Sequence, residues 1–253
     1  FITPRFQSLK KSDIETKSGP ADLVTIADRE AEEWLTPKLM DLLPGSKVVG
    51  EEAAAKDPSI LSYLSEEGPV WLVDPVDGTA NFVEGSARFA VMVALVHQQE
   101  TVAGWIYPPM EDFIAFAERG GGAQLDGETL KGRQDTPFDQ AYGDYSSKYV
   151  ASAHRIYLDA AFEKAAGARQ GHCSAYAYLD TAKGELDFVM QYLMSPWDHA
   201  AGVLLVEEAG GTARFLEDAT PYTPVPRNPR PMLAVSDASC WSDYAGILKE
   251  KRV

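Results

Sequence analysis

Apolar residues at Ala31, Trp34, Leu35, Leu39 and Leu42 recur at the three- and four-residue spacing of one helix face, and predict a helix from Thr25 to about Leu43. Thr25 and Asp28 stand at its start with the spacing of a capping pair. Pro37 predicts a bend, because proline has no N–H for the helical ladder. The pattern then changes. VWLVD (70–74), FAVMVALV (89–96), TVAGWIY (101–107) and FIAFAE (113–118) are short β-rich runs separated by Gly, Pro or polar residues, as in a meander. GGGAQLDGETL (120–130) reads as a turn region, and KGRQDTPFDQAYGD (131–144) as a loose stretch, which divides the chain into subdomains 1–134 and 135–253. Strands and helices alternate afterwards: a strand at SSKYVAS (146–152), helices around 155–167 and 174–183, a strand at ELDFVMQY (185–192), a helix from Pro196, strands at GTARFL and MLAVS, and a helix from about Ala238. Such an order predicts an α+β or α/β layered sandwich.

Composition narrows the function. With 253 residues, 45% of them hydrophobic, the chain can bury a core in one large domain or two small ones. A net charge of −15 argues against a duplex nucleic-acid binder, which needs a basic face, and favours cations instead. No apolar run approaches the roughly 18 residues that a membrane span needs. Cys173 and Cys240 lie far apart without metal-ligand spacing, which suits a reducing, cytoplasmic compartment and gives neither cysteine a part in the chemistry. The opening FITPRFQSLKK has neither the apolar core nor the cleavage site of a signal peptide, and further residues are expected upstream of Phe1.

The chemistry concentrates in WLVDPVDGTANF, residues 71–82. The apolar run predicts a buried strand with Asp74 at its carboxyl end, where open sheets place ligand sites. Pro75 stiffens the next step of chain. Asp77-Gly78-Thr79 resembles a helix start, whose free N–H groups suit an anion. Acidic ligands for a hard cation thus stand beside an amide cradle for phosphate. The same residues also suit an Asx-type turn in which Asp74 and Asp77 only cap backbone. VVGEEAAA (48–55) puts Glu51 and Glu52 at another strand end, SPWDHAAGVLLVEEAGG (195–211) puts Asp198 in a first helical turn after Pro196, and GPADLVTIAD (19–28) adds Asp22, Thr25 and Asp28. Each taken singly is equally a solvated or capping acid at a helix start.

Taken together and in order, ADLVTIAD, GEE, DPVDGTANF and PWDHAAG with EEAGG resemble the inositol monophosphatase family, the magnesium-dependent, lithium-sensitive phosphatases, over nearly the whole chain. The resemblance implies an αβαβα sandwich, a homodimer, and hydrolysis of a small phosphorylated metabolite with two to three Mg²⁺ ions. It places Glu51, Asp74 and the Val76 carbonyl on a first Mg²⁺, and Asp74, Asp77 and Asp198 on a second, with Glu51 reaching a third position through water. Oxygen ligands of this kind suit Mg²⁺. It implies in-line attack by a metal-activated water near Glu51, oriented by a Thr79–Asp28 pair, with the amides of Gly78 and Thr79 on the phosphate and no covalent phosphoenzyme. Lys17 falls where the family has a mobile-loop lysine near the metals, and His199, beside Asp198, reads as a packing or surface residue.

Departures from the family concern substrate. A Gly-Ser/Thr-Ala stretch is replaced by His172-Cys173-Ser174, and a glutamate seven residues before the last metal aspartate is Gln191. A neutral amide changes the donor and acceptor pattern offered to hydroxyls, which weakens the case for myo-inositol. Arg169, His172, Ser174 and Gln191, with Asp77, are the candidate substrate-binding residues, Arg169 being equally suited to a dimer interface. HCSAYAYL faintly resembles histidinol-phosphate phosphatases, so that activity, a nucleotide 3′-phosphatase and a sugar bisphosphatase stay open. Of other classes, an EF-hand and a nucleotide-cofactor enzyme lack their spacings, and a non-catalytic sensor of metal or ligand sits poorly with the intact Glu51, Asp74, Asp77, Thr79, Asp28 and Asp198.

Overall fold

The computed structural model describes residues 1–16, 23–146, 152–192, 195–225 and 230–249. Lys17, Asp22 and most of the strand expected at SSKYVAS lie outside the described residues. The chain opens with an antiparallel pair, β1 (Ile14–Thr16) and β2 (Leu23–Thr25), and enters helix α1 (Ile26–Leu42) through the expected capping box. The Asp28 carboxylate accepts the Thr25 N–H, and α1 continues through Pro37. There follow β3 (Lys47–Gly50), α2 (Glu51–Lys56), β4 (Val70–Asp77), α3 (Thr79–Glu84), β5 (Ala90–His97), β6 (Glu100–Tyr107), β7 (Ala115–Glu118), β8 (Gly122–Leu125) and β9 (Glu128–Thr129). These strands form one seven-stranded sheet in chain order, β3 to β9, with β3 parallel to β4 and every other pair antiparallel.

The second half supplies β10 (Tyr142–Tyr145), α4 (Ser152–Phe162), β11 (Gly167–Arg169), α5 (Ser174–Ala182), β12 (Phe188–Gln191), α6 (Pro196–Glu208), β13 (Thr212–Phe215), β14 (Met232–Val235) and α7 (Trp241–Leu248). Its sheet has the order β11-β10-β12-β14-β13, parallel on the β11–β10–β12 side and antiparallel on the other. Helix α1 packs outside the large sheet, where Leu39 meets Trp71 and Val73. Helices α5 and α6 fill the space between the two sheets, and α4 and α7 cover the outer face of the small one around Phe138, Phe188 and Tyr244. The molecule is an αβαβα sandwich.

Several sequence expectations need correction. The turn region at 120–130 contains the two short strands β8 and β9, paired with each other. A strand at Tyr142–Tyr145 lies inside the stretch expected to be loose. The helix expected to reach 167 stops at Phe162, and Gly167–Arg169 is a strand. These segments are short: β8 and β9 fold back on the strands just before them, while β10 and β11 depend on partners further off in the chain, which local patterning does not encode. The strand expected to end at Asp74 runs on to Asp77.

The central layer is held by close backbone approach. Helix α6 is buried from Pro196 to Val206 apart from Trp197 and Asp198, as a helix between two sheets must be. A Cβ on Gly202 would stand 2.2 Å from Cδ2 of the Tyr178 ring on α5. Gly202→Val is therefore expected to overpack the α5–α6 contact and lower the unfolding free energy by about 1–3 kcal/mol. Urea denaturation of the folded variant checks this; unchanged stability would mean that the two helices can part freely.

Candidate active site

Asp74 and Asp77 are three residues apart, and in a regular strand that spacing sends side chains to opposite faces. The register of β4 against β5 corrects this. Asp74 pairs with Met92 and Asp77 with Ala90, so three steps on β4 match two on β5. The extra residue is a β-bulge, and it returns both carboxylates to one side, where they line a cavity of about 1480 Å³. Pro75, lacking an N–H, suits the interruption of the ladder. Within the bulge Asp74 Oδ1 accepts the Val76 N–H at 3.0 Å, so the Asx-type contact is present alongside the cavity-facing placement.

Gly78 follows with φ +86°, a left-handed conformation that suits glycine, and starts α3 at Thr79. Thr79 Oγ1 lies 3.2 Å from Asp28 Oδ1 and 2.9 Å from the Val76 carbonyl, two acceptors for one proton. The other Asp28 oxygen is fixed by the N–H of Thr25 at 2.8 Å and by its hydroxyl at 2.5 Å. Burial, ahead of all other causes, raises Asp28 to about 7.

Glu51, at the start of α2, and Asp198, in the first turn of α6, line the same cavity. Asp74 and Asp77 are buried, and Asp198 is half-buried. Burial raises the pKa of all three, and the fields of Glu51 and Asp77 add to the rise at both Asp74 and Asp198. Asp74 and Asp198 share a hydrogen bond, and none of the three makes an ion pair among the described residues. As placed, no three acidic, histidine or cysteine side chains among the described residues close on one point as a finished ligand shell. The donor set is nevertheless one for a hard divalent cation: carboxylate oxygen atoms of like charge.

Opposite the bulge stands the start of α5. The Ala175 N–H donates to Asp77 Oδ2 at 2.7 Å, and the Cys173 thiol donates to the same oxygen at 2.8 Å. Cys173 is thus no bystander. Burial and the Asp77 carboxylate hold its thiol protonated, the form that can donate. His172 takes φ +55° and lines the cavity, as do Ser174 and Gln191, the last residue of β12. Arg169 is not among the lining residues; its guanidinium is held by Asp144, at 3.0 Å, and by Asp180. His199 is buried, with Nδ1 2.8 Å from the Tyr178 hydroxyl, a packing residue and not a surface one. Sequence reading also passed over Asn81, whose amide donates to the carbonyls of Arg88, at 2.8 Å, and Gly171, at 3.2 Å, tying α3 to the turn that carries His172.

Residues 1–233 match the sequence model of the inositol monophosphatase family. The chain belongs to the inositol monophosphatase family. It is 33% identical over 221 residues to inositol-1-monophosphatase of Bacillus subtilis, covering 86% of this chain and 81% of that one. It is 32% identical over 215 residues to the fructose-1,6-bisphosphatase/inositol-1-monophosphatase of Aquifex aeolicus, covering 83% and 78%. The crystal structure of the extragenic suppressor protein SuhB from Bartonella henselae superposes with a TM-score of 0.80 at 27% identity, covering 94% of this chain and 90% of that one. As a member of this family of phosphatases, the protein is a phosphoric monoester hydrolase. Among the described residues no helix is long and apolar enough to cross a membrane.

The electrostatics make a prediction for the metal-free protein. A carboxyl whose folded pKa exceeds its unfolded value contributes stability below the unfolded value and loses it as pH rises through the folded one. For Asp28 that window runs from 3.8 to about 7, and Asp74 shifts in the same direction. In chelator, Asp74→Asn is therefore expected to melt above the unaltered protein, by a margin that widens from acid to neutral pH. Thermal melts across pH check this. A variant less stable than the unaltered protein at neutral pH would show that the Asp74 charge is already compensated.

Proposed function

We propose that the protein is a Mg²⁺-dependent phosphomonoesterase acting on a small phosphorylated polyol, sugar or related metabolite, as a cytoplasmic homodimer. The observation that carries the chemistry is the bulge, which turns Asp74 and Asp77 to one side of β4 beside Asp198 and Glu51, with the Thr79–Asp28 pair a few residues on. Family membership and two free cysteines support the assembly and the compartment.

Glu51, Asp74 and the Val76 carbonyl would hold a first Mg²⁺; Asp74, Asp77 and Asp198 would hold a second, and Glu51 would reach a third through water. Bound there, Mg²⁺ lowers the pKa of water and neutralises charge on the phosphoryl and leaving oxygens. The chain's own residues orient and receive. Thr79 Oγ1 positions the attacking water, and Asp28, reached through that hydroxyl, takes up the proton. The amides of Gly78 and Thr79 hold the phosphate oxygens at the start of α3. Attack is direct and in line, so no residue is phosphorylated.

Specificity rests with His172, Ser174 and Gln191. Gln191 presents a neutral amide where a carboxylate could accept two hydroxyl protons, which points away from inositol phosphate as the best substrate. Phosphate release from inositol 1-phosphate, histidinol phosphate, fructose 1,6-bisphosphate, adenosine 3′,5′-bisphosphate and β-glycerophosphate, each with Mg²⁺, with chelator and with added lithium, tests both parts. Turnover of at least one ester that vanishes with chelator is expected. Silence across the panel from folded, Mg²⁺-binding protein would favour a sensor.

Two substitutions sharpen the roles. Thr79→Ala is expected to lower kcat by about 100-fold or more with KM little changed, the signature of a group that assists proton transfer. A rise in KM alone would make Thr79 a binding residue. Gln191→Glu is expected to raise the use of inositol 1-phosphate relative to the other esters; an unchanged ratio would remove Gln191 from the substrate face.

A further inference from the structure

Glu32 belongs to α1 and is not among the residues lining the cavity. Its side chain is nonetheless buried at 5% exposure, which is costly for a carboxylate unless its oxygens are satisfied. They are satisfied by one element. Oε2 accepts the Glu52 N–H and Oε1 the Ala53 N–H, both at 2.8 Å, so the carboxylate closes over the first turn of α2. Gly50 makes this approach possible: a Cβ there would lie 2.3 Å from the Glu32 carboxyl carbon. Glycine is needed at Gly50 for space, since its φ of −94° is open to any residue. The Gly-Glu-Glu motif thus contains the seat for a carboxylate from another helix.

We propose that Glu32 is a positioning residue for Glu51, and so a determinant of Mg²⁺ affinity; this rests on the assignment of Glu51 as a metal ligand. Helix α2 has six residues and no side-chain cap at Gly50. Too short a helix to hold its own first turn, it takes its orientation from outside. The two amides that Glu32 holds belong to the residues immediately after Glu51, which fixes the direction in which the Glu51 side chain leaves the backbone. Negative charge at the helix start adds to the hold. A carboxylate is suited to the task because both oxygens accept, whereas an amide of the same shape has one acceptor and turns an NH₂ toward the second N–H.

Glu32→Gln tests this with little change of volume. Mg²⁺ binding is measured by calorimetry and by the Mg²⁺-induced rise in melting temperature, on four proteins: unaltered, Glu32→Gln, Glu51→Gln and the double variant. The expected result is a folded Glu32→Gln protein whose Mg²⁺ affinity falls about 10–100-fold, as when a group that orients a ligand is lost. In the metal-free state its Glu52 and Ala53 amides exchange faster with solvent. In the Glu51→Gln background the same change is expected to have no further effect on affinity, because both act through one side chain. If Glu32→Gln lowers the melting temperature but leaves Mg²⁺ affinity unchanged while Glu51→Gln weakens it, the positioning role is overturned and Glu32 is a structural cap. If Glu51→Gln itself leaves affinity unchanged, the metal assignment of Glu51 fails, and the proposal with it. Should Glu32→Gln not fold, Gly50→Ala, which displaces the same carboxylate, carries the test with the same two outcomes.

Discussion

The structure depends on holding like charges together. Asp74 and Asp77 are buried beside Asp198 and Glu51, their repulsion is unrelieved by an ion pair to any of the three aspartates among the described residues, and each element nearby bears the mark of that constraint. A bulge interrupts β4 to turn two carboxylates one way. The start of α5 lends a backbone N–H and a thiol to Asp77, and α6 is packed between two sheets to bring Asp198 up to the same space. Protonation can relieve the repulsion, as the raised pKa values show, and so can a divalent cation.

Much of the fold was legible in the sequence because burial and pattern coincide there. Helix α1 and strands β4 to β7 each pack one face or both against a neighbouring layer, and their apolar spacing records it. Helix α6 was legible from Pro196 and the paired glycines at its end, although it is buried nearly all round. Strands β8 to β11 were missed: all are short, β8 and β9 turning back on the strands just before them within a glycine-rich stretch, and β10 and β11 relying on partners further off in the chain.

The site divides in the same way. The aspartates, Glu51 and Thr79 were legible because four separate motifs, each ambiguous alone, together resemble one family in order and spacing. What orients them did not. The bulge is a property of pairing and not of DPVD alone. Cys173 meets Asp77 across 96 residues of chain, and Glu32 meets the start of α2 across 20. Single cysteines and helical glutamates carry no local signal of such contacts. His172 illustrates the limit from the other side: its identity was visible, while its left-handed backbone at the cavity's edge was not. In the proposed function, chemistry and specificity fall to different residues, the first on β4, α2, α3 and α6, the second on β12 and the turn before α5.

The most direct test of the account is the anomalous diffraction of crystals soaked in Mn²⁺, a spectroscopically and crystallographically visible substitute for Mg²⁺. The account predicts anomalous peaks in the cavity, one bounded by Asp74, Asp77 and Asp198 and another by Glu51, Asp74 and the Val76 carbonyl, about 4 Å apart as in other two-metal phosphoryl sites. Peaks elsewhere, or a cavity with none while the carboxylates remain hydrogen-bonded to one another at neutral pH, would contradict it.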